Sequence, residues 1–132
     1  LGRYGAINSF ERYLFDNKVH ILKFFLHISK DEQLKRFKKR LTDPNRQWKI
    51  SEADYNEREL WDDYQRAYED VLNRCSTDYA PWFVIPANHK WFRNLAISRI
   101  VVEYLENLNM RFPEPTVDIG KVTERYHGEL HQ

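Results

Sequence analysis

The apolar positions of this chain change their spacing several times, and each change marks an element. Ile7, Phe10, Leu14 and Phe15 recur at three- and four-residue intervals, which predicts a helix ending at Asn17. VHILKFFLHI, residues 19–28, is nearly continuous apolar and β-prone, the pattern of a parallel strand buried on both faces. Ser29 with Glu32 then reads as a capping box, and Leu34, Phe37 and Leu41 give the next helix one apolar face. Pro44 stops that helix, because proline cannot continue it. Ser51 with Asp54 repeats the capping signal, and Leu60, Tyr64, Ala67, Tyr68 and Val71 mark one long amphipathic helix. PWFVIPA, residues 81–87, reads as a second short buried strand, followed by a helix apolar on most sides and a polar tail over 113–132. Helix, strand, helix, helix, strand, helix predicts an α/β fold with parallel strands.

Composition narrows this picture. A chain of 132 residues is one domain or part of one, and 42% hydrophobic with 15% aromatic residues excludes disorder. The single cysteine, Cys75, excludes a disulfide framework and fits a reducing, cytoplasmic setting. No apolar run approaches the ~20 residues of a membrane span, and the N-terminus does not resemble a signal peptide. The chain opens on LGRYGAINSF without a methionine and reads as a fragment. Two strands of what should be a larger sheet leave unpaired edges, which favours a homo-oligomer, a dimer or a tetramer.

A net charge of +1 exerts no global pull on anions, so any anion site must be local. Such a place exists. Lys35 to Lys49 carries seven basic residues and one acid, whereas Glu52 to Asp70 carries eight acids and two arginines. Ligands of open parallel sheets bind at the carboxyl ends of the strands. Here those ends are His27–Ser29 and Pro86–Lys90, and the basic arm follows the first directly. Arg36 and Arg40 share a helical face, while Arg46 and Lys49 lie beyond the turn. Cations from a helix and a loop suit a polyanion with many equivalent oxygens, guanidinium forks gripping phosphate and lysine acting as a mobile point charge. A solvated helix face is the ordinary use of a charge run, and only the segregation of bases from acids argues otherwise.

Three segments, FFLHISKDEQLKRFKKRLTDPNRQWKIS, ADYNERELWDDYQRAYEDVL and STDYAPWFVIPANHKWFRNLAIS, together resemble the C-terminal half of the family-2 polyphosphate kinases. The DPNRQWKIS turn, the APWFVIPA strand and the HKW after it carry the resemblance, which runs from about Arg3 to Pro115. The pairing of HKW with LWDDY looks most like members acting on AMP and ADP. The resemblance implies the C-terminal part of a P-loop kinase-like three-layer fold over residues 1–112, with a helical lid near 35–75. It also implies phosphoryl transfer between inorganic polyphosphate and adenine nucleotides. Arg36, Arg40, Arg46, Lys49 and Lys90 would then bind phosphate, and Asp54 and Trp48 would order the lid. The family's Gly-rich phosphate loop and Asp-Arg motif are not among these residues, so the expectation is that Mg2+ is held mainly from outside this chain and that the chain alone does not catalyse.

Each residue also has a plainer reading. Asp54 occupies the third position of a capping box, and Trp48 and Trp61 are as readily packing residues as base-stacking ones. Lys90 either touches phosphate or closes a salt bridge. His27 and His89 have no metal-ligand spacing and fit polar core or rim positions. Two other classes remain open: a nucleotide-monophosphate kinase-like P-loop fragment and a non-catalytic polyanion-binding module. A nucleic-acid module would interleave aromatics with its bases, yet between Lys35 and Lys49 only Phe37 and Trp48 qualify. Neither nucleic acid nor membrane is an expected partner.

Overall fold

Two prolines set the length of the strand ladder. In the computed structural model, which describes residues 2–130, β1 (Lys23–His27) and β2 (Trp82–Pro86) pair in parallel, Lys23 opposite Trp82 and His27 opposite Pro86. Pro81 has no N–H to extend the ladder upstream; its carbonyl accepts from Lys23 N–H at 3.0 Å. Beyond Pro86 the Ala87 N–H donates to the His27 carbonyl at 2.8 Å. The strand expected over 19–28 is therefore five residues long. Nor is it covered on both faces, since Leu26 remains 44% exposed.

The helices begin where their caps predict and end where tertiary bonds decide. After α1 (Gly2–Asp16), α2 (Lys30–Thr42) starts at Ser29, whose Oγ accepts from Glu32 N–H at 3.2 Å. Asp43 ends α2 and caps the 3-10 turn Pro44–Lys49 through Asn45 N–H at 3.1 Å. In α3 (Glu52–Glu59), Asp54 accepts from Ser51 N–H at 3.0 Å, the return half of the expected box. The single long helix expected after Ser51 is two, broken at Leu60 before α4 (Trp61–Cys75). No proline or glycine explains the break. Arg58 draws α3 towards α2, donating to the Lys30 carbonyl and to Gln33 Oε1, both at 2.7 Å, and Tyr64 OH donates to Glu57 across the break.

Two compact units result, one up to Arg99 and one from Ile100. In the first, Phe37, Cys75, Ala80, Ile85 and Ala87 are buried apolar residues. Beside them Lys23 acts as a hub: its ammonium donates to Glu11 of α1 at 2.6 Å and to the Cys75 carbonyl at 2.7 Å, and lies 5.3 Å from the Trp82 ring centre. Four elements thus meet on one cation. From β2 the chain continues into α5 (Lys90–Asn107). The second unit holds α6 (Ile119–Glu129), a helix in the stretch expected only as a polar tail, capped by Asp118, which accepts from Lys121 N–H at 3.2 Å. Among the described residues no helix is long and apolar enough to cross a membrane.

Candidate functional site

The carboxyl ends of the two strands are stapled together by side chains 50 to 60 positions apart. Asn88 Oδ1 accepts from Ser29 N–H at 3.0 Å, and its amide lies 3.4 Å from Ser29 Oγ. Arg36, two turns further along α2, donates through Nη2 to the carbonyls of Ala87 (2.7 Å) and Asn88 (3.3 Å), while its Nε pairs with Glu32 at 2.9 Å. The guanidinium expected to meet a polyanion tethers α2 to the end of β2 in the structure. A small cavity of about 280 Å³ opens at this point, lined by His27, Ser29, Ala87, Asn88, His89 and Phe92. Asn88 was not singled out by sequence reasoning; only an amide directly after a predicted strand end hinted at it.

The other arm cations divide by chemistry. Arg40 lies over the Phe37 ring, donates to the Lys49 carbonyl at 3.3 Å and faces Asp54 at 3.9 Å. Phe37 meets Tyr55 edge-on at 5.2 Å, so α2, the turn and α3 are clasped on both sides. Arg46 pairs with Asp43 at 2.7 Å. The lysines behave differently. Lys35, Lys38, Lys39 and Lys90 are exposed, and among the described residues their ammonium groups enter no ion pair or hydrogen bond. Lys35, Lys38 and Lys39 stand at i, i+3 and i+4 on one face of α2. Lys49 covers the Trp48 ring at 4.8 Å. Trp48 itself is 78% exposed, its N–H donating to the Asn45 carbonyl at 3.1 Å, so it is not a packing residue.

A larger cavity of about 500 Å³ lies between the end of β1, α2, α3 and α4. Sequence reasoning foresaw Trp61 as packing or stacking; the structure sets it half-buried in this cavity wall. The hydrogen bond to Glu57, together with its negative charge, raises the Tyr64 phenol above its ordinary value. No three His, Cys, Asp or Glu side chains among the described residues are placed to hold a metal ion. The described residues therefore do not by themselves fit the Mg2+ implied by the resemblance. The four glycines lie in α1 and α6, none at positive φ, so no Gly-rich phosphate cradle occurs among the described residues.

Parallel strands whose carboxyl ends are bonded to a clasped, lysine-faced arm define an α/β protein with a concentrated basic surface on one helix. Residues 1–113 match the family described as Polyphosphate kinase 2 (PPK2), and the chain belongs to that family. The AMP/ADP-polyphosphate phosphotransferase of Meiothermus ruber is 52% identical over 120 residues, 91% of this chain and 45% of the relative. The ADP-polyphosphate phosphotransferase of Rhodopseudomonas palustris is 46% identical over 114 residues, 86% of this chain and 39% of the relative. The crystal structure of Polyphosphate Kinase 2 from Arthrobacter aurescens TC1 superposes with a TM-score of 0.87 at 40% identity, over 96% of this chain and 45% of that one. The parallel α/β expectation is borne out. The chain spans less than half the length of these three relatives.

Proposed function

We propose that this chain is the polymer-gripping half of a phosphotransferase that moves phosphoryl groups between inorganic polyphosphate and AMP or ADP. The names of its relatives support the substrate class. The observation that carries the reading is the unpaired face of Lys35, Lys38 and Lys39, on an arm held against the strand ends by Arg36. In this account residues 35–75 close as a lid. Arg36, Arg40 and Arg46 hold the lid's shape, because each already has a carboxylate partner. Lys35, Lys38, Lys39, Lys49 and Lys90 supply the charge that meets phosphate, and Asp54 fixes the start of α3. A mobile ammonium suits a chain of equivalent oxygens, because it keeps contact as the polymer slides. Phosphoryl transfer needs positioning and electrostatic stabilisation more than covalent help, and this chain contributes the first and part of the second.

The test is transfer from long polyphosphate to AMP and to ADP by the full-length protein. Nucleotide phosphorylation that depends on polyphosphate is the expected result. Transfer only from a nucleoside triphosphate would favour the monophosphate-kinase class, and binding of the polymer without transfer would favour the non-catalytic module.

A further inference from the structure

The side of α2 opposite Arg36 carries an open groove. Asp31, Leu34, Lys35, Lys38 and Leu41 share one helical face, and with Tyr55 of α3 they line a groove of about 510 Å³. Its floor is apolar: Leu34 is 46%, Leu41 50% and Tyr55 41% exposed. Its rim is basic, because Lys35 and Lys38 enter no ion pair or hydrogen bond among the described residues. Asp31, in the first turn of α2, sits where the helix's own amino end favours a carboxylate. An exposed apolar patch with a charged rim is the mark of a docking surface. The matching shape lies on the same arm. Leu60, at the break between α3 and α4, is 47% exposed. Glu59 and Asp62 flank it, both exposed and both without an ion pair or hydrogen bond among the described residues.

We propose that this groove receives Leu60 of a second copy of the chain, with Glu59 and Asp62 of that copy paired to Lys35 and Lys38. Charge complementarity selects the occupant. Seven bases to one acid over Lys35–Lys49 stand against eight acids to two arginines over Glu52–Asp70. Within one copy the groove lysines and the acids beside Leu60 do not pair, so both sides remain available. Groove and knob belong to one arm, so a two-fold axis between two arms makes both contacts at once and closes the assembly. Two side-chain clusters of this size make a transient encounter rather than an obligate interface. Lysines that hold a second copy are withdrawn from a polymer, so polyphosphate and arm pairing exclude one another; this consequence rests on the phosphotransferase reading above. Arm pairing is then a resting state that polyphosphate dissolves.

The experiment uses the full-length protein. Leu34→Cys and Leu60→Cys are prepared as separate variants, mixed, and treated with oxidised glutathione; Cys75 is fully buried and does not compete. A disulfide-linked pair in the mixture, with much less in either variant alone, is expected. No linked pair in the mixture overturns the assignment and leaves the groove to a different acidic partner. The second readout is self-association in sedimentation at low salt, where exposed charges are least screened. Lys35→Glu with Lys38→Glu, or Glu59→Lys with Asp62→Lys, sets like charges against each other in both contacts of a self-pair. Each of these proteins should associate about tenfold or more weakly than the wild type. Mixed together they set opposite charges in both contacts, and association should return nearly to the wild-type level. Association unchanged by either reversal, or not restored by mixing, overturns the proposal. Long polyphosphate is then added to the mixed cysteine variants before oxidation. Loss of the linked pair is expected, and a yield unchanged at saturating polymer overturns the exclusion. Absence of polyphosphate-dependent transfer in the wild type removes the phosphotransferase reading, and the charge-reversed mixture still decides whether the arms pair.

Discussion

Lys23 and the lysines of α2 are the same side chain in opposite circumstances. Lys23 sits 13% exposed against a Glu11 carboxylate 11% exposed and binds four elements into one unit. Lys35, Lys38 and Lys39 stand free in solvent. The arginines between them take an intermediate place: Arg36 and Arg40, about a quarter to a third exposed, hold α2 to the strand ends and to the turn. What separates these groups is desolvation. A charge removed from water must find a partner at once, whereas a charge left in water stays available to whatever anion arrives. The difference yields separable consequences.

The hub should break hardest. Lys23→Met strands Glu11 at the centre of the first unit and should cost about 3 kcal/mol of folding stability, the lower end for one partner of a buried pair. Urea unfolding of the full-length protein measures it, and Glu11→Leu placed on the same background should recover most of the loss. Arg36→Ala removes charge-assisted bonds to Ala87 and Asn88 and should cost about 1.5–3 kcal/mol. Arg36→Lys should restore little, because an ammonium cannot span both carbonyls and Glu32 at once. If either Arg36 variant unfolds like the wild type, the tether between α2 and β2 is not a stabilising contact. The smallest effect concerns Tyr64. Its pKa is raised by Glu57, so the bond between them is fully present below the ordinary phenol value of about 10 and is lost as pH rises through the higher folded value. Tyr64→Phe should therefore lower stability slightly through the neutral region, where the bond is present, and flatten the alkaline limb of the stability profile above pH 10.

How much of this was legible in the sequence follows from the range of each interaction. The caps at Ser29 and Ser51 were readable because their bonds close within three residues. The parallel strand pair was readable from two apolar runs, and its shortness was implicit in Pro81. The break at Leu60 was not readable, because it is set by Arg58 reaching back 28 positions to Lys30. The Ser29–Asn88 staple joins residues 59 apart and left no periodic trace. The basic run was plain, but its division into bonded arginines and free lysines depended on where Glu32, Asp43 and Asp54 fell in space. Sequence reasoning named Arg36, Arg40 and Arg46 beside Lys49 and Lys90; the structure engages those three arginines in ion pairs and leaves Lys35, Lys38 and Lys39, which were not named, exposed.

That division is the central claim, and salt tests it most directly. A cation that meets a polyanion releases counterions, so the logarithm of affinity falls linearly with the logarithm of salt concentration, by nearly one unit of slope per contact; the scale is that of nucleic acids. Long polyphosphate is titrated into the full-length protein at several ionic strengths. The variants are the Lys35/Lys38/Lys39 triple alanine and the Asp43/Arg46 double alanine, which removes a bonded pair of no net charge. The account predicts a slope smaller by about two to three units in the triple variant and unchanged in the double variant. Identical slopes in the triple variant and the wild type would show that the free lysine face never touches the polymer and would contradict the account.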